Sequence, residues 1–178
     1  MFYLQEFTTK TFQTSATDSW TISPSRSPTY STCSENSIVG GDQIFYDDQT
    51  ISKQFNDLPS HKKIKVSVSL YLLDNWFGET MKIYFDDVVK SNDLYYYSFF
   101  NMNLCGKSDW DFISNIYIVA DHTSPTFVFK IEALKVNKNI QGWGLRNFRL
   151  YLDMDCMPLC NRCNGQICDL LVFFAFQS

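Results

Sequence analysis

Residues 64–85 read IKVSVSLYLLDNWFGETMKIYF, two apolar-rich runs joined by DNWFGE. In the first run Ile64, Val66, Val68, Leu70 and Leu72 alternate with Lys65, Ser67, Ser69 and Tyr71. Successive side chains of a strand point to opposite faces, so this period of two predicts a strand with one buried face. TMKIYF (80–85) repeats the period. A tight connection between strands needs only a Gly or Asn for its backbone angles, so the Asp74, Trp76 and Glu79 in this one ask for a further role.

The same alternation returns in SNIYIV (114–119), FVFKIEAL (127–134) and FRLYLD (148–153), separated by turn-like clusters such as DHTSP and NKNIQGWG. Shorter candidate strands are EFTTKTF near the N-terminus, SWTI around Trp20, TISKQF (50–55) and LYYYSFF (94–100). The 16 Phe and 10 Tyr, with no long Ala/Leu/Glu/Lys stretches, lean the same way. Eight or nine short strands punctuated by turns predict an all-β fold, an antiparallel two-sheet sandwich of jelly-roll type. SPSRSPTYSTCSENS (23–37), rich in Ser, Thr and Pro, reads as a loop crossing a sheet edge. No internal repeat interrupts this pattern. After Asp155 the chain changes to CMPLCNRCNGQIC, too short and polar to own a core. The expected organisation is a β-sandwich domain over 1–155 and a short cysteine-rich C-terminal stub over 156–178.

Composition narrows the function classes. The 178 residues suffice for one packed domain. Fifteen basic residues scattered among 19 acidic ones, a net charge of −4, argue against tracking phosphates, so no nucleic-acid partner is expected. MFYLQEFTTK lacks the basic start and apolar run of a signal peptide, and LLVFFAF (170–176) falls far short of the roughly 20 residues a spanning helix needs. No membrane-spanning segment is expected.

Six cysteines fall into two groups: Cys33 and Cys105 stand far apart, whereas Cys156, Cys160, Cys163 and Cys168 are crowded as C-x3-C-x2-C-x4-C. An even number in this layout suggests a disulfide framework, although fifteen pairings are open. The natural pair is Cys33 with Cys105, a long closure worth about 4 kcal/mol on the chain-entropy model. Buried free thiols are the plain alternative. Four thiolates could hold zinc, but zinc folds separate two ligand pairs by a dozen or more residues where this cluster leaves two; an iron–sulfur cluster would want a redox partner. Disulfides are the favoured reading, and no metal centre is assigned.

Enzyme signatures are missing: no G-x-S-x-G, phosphate loop, dinucleotide fingerprint or H-E-x-x-H occurs. His61 and His122 both sit at strand boundaries and read as structural. Carboxylates pair at Asp47 and Asp48, at Asp74 and Glu79, and at Asp86 and Asp87. Adjacent carboxylates usually mark a solvated turn, and calcium is the one ion such oxygen-rich loops could suit; no other cofactor is implied. Trp20, Trp76, Trp110 and Trp143 read first as core plugs, with stacking on a sugar as the alternative.

LPSHKKIKVSVSLYLLDNWFGE, NLCGKSDW, DHTSPTFVFKIEA and GWGLRNFRLYL, in that order and followed by clustered cysteines, resemble a module of large ciliate proteins with cysteine-rich, furin-like repeats. The resemblance spans roughly residues 6–168. The D-x-W-x-x-E of Asp74, Trp76 and Glu79 and the W-G-L at Trp143 are also similar to galactose-binding-type sandwiches. The resemblance implies that Asp74, Trp76 and Glu79, with Trp110 and Trp143, form a loop signature tying one sheet to the segment of Trp143, the carboxylates meeting backbone amides or a ligand such as calcium. Phe77 and Gln141 stand where that family carries acids, which weakens a calcium site; Ser60 and Asp121 replace its prolines. The implied role is a non-catalytic structural or binding module, extracellular or at the cell surface, contacting proteins or glycans. The alternative is an accessory subunit of a large ciliate assembly, such as one in the mitochondrial intermembrane space, favoured by the lack of any Asn-x-Ser/Thr sequon. A carbohydrate-active enzyme would need two carboxylates facing one groove.

Overall fold

A computed structural model describes residues 2–11, 14–46, 48–96, 103–107, 110–134, 136, 141–153, 163–164 and 167–168. Among the described residues, eleven strands build two antiparallel sheets: β1 (Phe2–Glu6), β2 (Thr21–Ser23), β3 (Tyr30–Cys33), β4 (Asn36–Gly41), β5 (Thr50–Phe55), β6 (Lys63–Asp74), β7 (Phe77–Phe85), β8 (Val88–Tyr96), β9 (Phe112–Asp121), β10 (Phe127–Leu134) and β11 (Gln141–Asp153). Sheet A runs β3-β4-β11-β6-β9, with β1 continuing the edge of β11 beyond β4; sheet B runs β2-β5-β10-β7-β8. Two short strands, β12 (Cys163–Asn164) and β13 (Ile167–Cys168), pair separately. The chain is therefore an all-β, two-sheet antiparallel sandwich.

The alternating residues of β6 meet those of β7, β10 and β11 in one core between the sheets. Ile64, Val66, Val68, Leu70 and Leu72 face Met81, Ile83, Phe85, Phe127, Phe129 and Ile131, all buried. Aromatic rings fill the middle: Phe148 lies 5.0 Å from Phe129, 5.1 Å from Trp20 and 5.8 Å from Phe55, centroid to centroid. Edge-to-face and offset contacts of this kind add to the area the rings bury, which is why so many Phe residues serve one small sandwich. A second cluster lies on the outer side of sheet A, where Cys33, Ile38, Tyr71 and Leu73 are covered by Leu104 and Cys105. The Cys33–Cys105 disulfide, joining residues 72 apart, holds that cover in place.

The structure departs from the sequence reading in three places. The stretch 23–37 is not all loop, because β3 and the start of β4 lie inside it; their polar outer residues hide the period of two. Strand β11 starts at Gln141 rather than at 148, since Gly142 and Gly144 are in-strand residues. A Cβ at Gly142 would lie 2.8 Å from Asp42 Cα, and one at Gly144 2.7 Å from the Val39 carbonyl, so these glycines mark close backbone approach and not a turn. Strand β1 ends at Glu6, ahead of most of EFTTKTF, and β8 starts at Val88, ahead of the LYYYSFF stretch, whose residues 97–100 lie outside the described residues. Cys156, Cys160, Asp47 and the run 170–176 also lie outside them, and Cys163 and Cys168 are described only as backbone partners.

Candidate functional site

Strand β6 ends where the chain must cross from sheet A to sheet B, and Asp74 makes that corner with a positive φ of 65°. The amide of Asp74 donates to Asp111 Oδ1 at 2.6 Å, while its own Oδ1 accepts from the Lys107 amide at 2.6 Å. Asp111, fully buried, also accepts through Oδ2 from the amides of Leu104, Cys105 and Gly106 at 2.8, 2.9 and 2.9 Å. One carboxylate thus gathers four backbone donors, and charge-assisted bonds of this type are the strong ones. Gly106 is required by closeness: a Cβ there would sit 2.5 Å from Asp111 Oδ1 and 2.7 Å from Asp74 Oδ1. The wrapped loop carries Cys105, which sets it over the outer cluster of sheet A.

Trp76 and Glu79 finish the crossing. Trp76 is fully buried, and its indole N–H is shared between the carbonyls of Leu73 at 3.1 Å and Gly142 at 3.0 Å. Glu79 accepts from the Phe77 amide and, through Oε1, from Gln141 Nε2 at 2.7 Å; the same Gln141 nitrogen also donates to the Asn75 carbonyl. Gln141 is thus a donor in a place where an acid would oppose Glu79. Trp143 is fully buried beside Phe45, with centroids 4.9 Å apart, and Trp110 is half-buried. Neither Trp76 nor Trp143 can offer a face to a sugar in solution.

The chemistry of this corner is that of a clasp. The carboxylate oxygens of Asp111 are committed to N–H donors, lone pairs that a calcium ion would otherwise need. Among the described residues, no group of three or more His, Cys, Asp or Glu side chains is arranged to hold a metal ion. Asp42, beside the clasp, has its carboxyl pushed above the usual range by burial, opposed by Lys107 and reinforced by Asp74 and Asp111. Asp86 and Asp87 are the two central residues of the β7–β8 hairpin, both at positive φ, the pair of left-handed residues a type I′ turn demands. Asp111 itself is invisible to motif reading, since only its neighbour Trp110 draws attention; a carboxylate just before a strand and just after C-G is the one available cue.

At the other end of the sandwich, His61 Nδ1 meets the Pro59 carbonyl at 2.6 Å and His61 Nε2 meets His122 Nδ1 at 2.7 Å. His122 Nε2 lies 3.1 Å from Asp86 Oδ2. The two rings stack at 5.0 Å and tie the entry to β6 and the exit of β9 to the β7–β8 turn.

The two outer faces differ. On sheet B the polar groups answer one another: Tyr84 donates to Glu132 at 2.5 Å, Lys130 lies 4.1 Å over the Tyr84 ring, and Lys130 reaches Asp87 at 3.4 Å. Holding its proton against Glu132 pushes the Tyr84 phenol up to about 12. On sheet A, register aligns Gln5, Arg149, Ser67 and Tyr117 in one row across β1, β11, β6 and β9. Three interstrand steps make this row about 14 Å long. The four side chains make no hydrogen bond or ion pair among the described residues, and Tyr117 is 63% exposed. Val119, Lys65 and Tyr151 flank the row on one side and Asn115 and Ser69 on the other.

No protein-family model matches this chain, and no curated protein does. Among solved structures it is similar to the xylan-binding domain CBM22-1 of Paenibacillus barcinonensis Xyn10C, with TM-score 0.51 and 10% identity over 86% of this chain and 95% of that one. It also matches a family 35 carbohydrate-binding module from Clostridium thermocellum, with TM-score 0.40 and 12% identity over 75% and 88% of the two chains. A third match is the C-terminal CBM6 of LamC from Zobellia galactanivorans, with TM-score 0.41 and 12% identity over 68% and 85%. At such identity the likeness to the first shows a shared sandwich fold and nothing finer.

Proposed function

We propose that this chain is a non-catalytic binding module whose outer face on sheet A takes a glycan. The observation that carries the reading is the row Gln5, Arg149, Ser67 and Tyr117. It offers an exposed aromatic ring for the apolar face of a sugar, next to hydroxyl, amide and guanidinium groups with open hydrogen-bonding capacity. The xylan-binding domain of the same fold supports it by analogy. Arg149 has no carboxylate partner among the described residues, so a sugar carboxylate or sulfate is the group it would favour. In this reading Asp74, Trp76, Glu79, Trp110 and Trp143 are scaffold, residues 1–155 form the module and 156–178 a cysteine-rich stub. The Cys33–Cys105 disulfide favours an oxidising, extracellular or surface-associated setting.

Titration calorimetry with neutral xylan, a glucuronic-acid-bearing xylan and a sulfated glycan tests this directly. Tyr117→Ala should weaken every ligand about tenfold, and Arg149→Ala should weaken only the acidic ones. Binding to none of the three, or binding indifferent to Tyr117→Ala, overturns the reading and leaves contact with a protein, as in a larger assembly.

A further inference from the structure

A sandwich of open sheets has edges, and unpaired edges recruit other strands unless something blunts them. Most edges here are blunted. Strand β2 has three residues and runs into Pro24; β3 has four, follows Pro28 and is pinned by its disulfide; β1 is short and carries a bulge. Strand β8 carries Lys90 and Asp93 and shifts register against β7. Strand β9, Phe112–Asp121, differs. Its sequence FISNIYIVAD holds no Pro, Lys or Arg, its one charge is the terminal Asp121, and among the described residues its only sheet neighbour is β6. Val119 is 45% and Tyr117 63% exposed on its outward row.

We infer that Asn115–Asp121 of β9 pairs antiparallel with the same segment of a second copy of this chain. The seven residues are self-complementary about Ile118. An antiparallel two-fold pairing there sets Tyr117 opposite Val119 of the other copy, an aromatic and β-branched pair of the kind that stabilises sheets. It sets Ile116 opposite Ala120, and Asn115 opposite Asp121. Asn115 Oδ1 already accepts from Ser69 at 2.8 Å, which leaves its amide nitrogen to donate to the partner carboxylate of Asp121, a side chain 89% exposed whose Oδ1 lies 3.6 Å from Lys63 and whose other oxygen is left to accept. Residue parity is kept, so inward residues meet inward residues and no like charges are opposed. The outer faces of the two sheets A then form one surface, which would double the contact area offered to a polymeric ligand.

Sedimentation velocity over a range of loading concentrations reads the self-association. Asn115→Asp keeps the bond from Ser69 but opposes two carboxylates twice across the two-fold, and should weaken the dimer about tenfold without changing the melting temperature of dilute protein. Adding Asp121→Asn to that variant exchanges donor and acceptor in the same two positions, sets no lysine against Lys63 of its own chain, and should return the dimer to the wild-type range. A wild-type chain that is monomeric at every concentration, an unweakened Asn115→Asp variant, or a double variant that stays monomeric each overturns the inference.

Discussion

The two ends of the sandwich are closed by opposite strategies. They lie at opposite ends of β6, a strand that spans about 37 Å when extended. At the Asp74 end, side-chain carboxylates satisfy backbone amides, and Asp111 alone serves Asp74, Leu104, Cys105 and Gly106. At the His61 end, side chains satisfy one another, and each histidine nitrogen has one neighbour: the Pro59 carbonyl, the other ring or Asp86. A loop without regular structure has many orphan amides, so its order can hang on one anion. A strand end that already has neighbours needs only a cross-tie.

The contrast is broken most severely at Asp111. Asp111→Ala leaves four amides without their acceptor, and even with water returning to some of them the loss should be about 4 kcal/mol. Denaturant unfolding would show the loss, and hydrogen exchange would show the amides of 104–106 losing protection while β10 keeps its own.

Gln141→Glu tests the same end through charge. It replaces the donor to Glu79 Oε1 with a second carboxylate in a buried position, for a loss of about 3 kcal/mol at neutral pH. The folded pair would then hold a shared proton more tightly than the unfolded chain does. Stability should therefore recover as pH falls, the direction opposite to ordinary acid denaturation. Combining Gln141→Glu with Glu79→Gln restores one donor and one acceptor and should regain part of the loss.

At the histidine end, His61→Leu keeps an apolar side chain of similar burial but strands the Pro59 carbonyl and one nitrogen of His122. The expected loss is about 2 kcal/mol, smaller than at Asp111 because fewer groups are orphaned. A loss as large as that of Asp111→Ala would remove the distinction between a loop anchor and a cross-tie.

How much of this was legible in the sequence follows from what each feature depends on. Strands β5 and β10 match TISKQF and FVFKIEAL residue for residue, because one face is buried and the other wet, and period two then appears in the chain itself. The glycines of β11 misled for a reason no single sequence can reveal: their partner is the backbone of Asp42 and Val39, a hundred or more residues away in the chain and touching only after folding. The D-N-W-F-G-E connection announced a role for Asp74, Trp76 and Glu79, whereas Asp111 and the donor character of Gln141 became visible only once β9 and β11 were laid beside β6. The surface row on sheet A was hidden for the same reason, since its four residues come from four strands and register alone aligns them.

The smallest effect is expected at Asp42, and its sign is the informative part. Burial pushes this carboxyl above its ordinary value, Lys107 at 3.9 Å pulls it back, and Asp74 and Asp111 push it up again. The raised value means that the folded chain holds the Asp42 proton more tightly than the unfolded chain. Ionised Asp42 therefore costs stability, and the cost accrues as pH rises through the window just above the ordinary value of 3.8. Asp42→Asn should accordingly raise the melting temperature slightly at neutral pH, and the gain should vanish once acid has protonated the wild-type side chain. Scanning calorimetry of the two proteins across that window separates the terms: a gain that closes with acid means burial and the two neighbouring carboxylates outweigh Lys107, whereas a loss at neutral pH means the Lys107 pair outweighs them and the clasp end gains from every anion it holds.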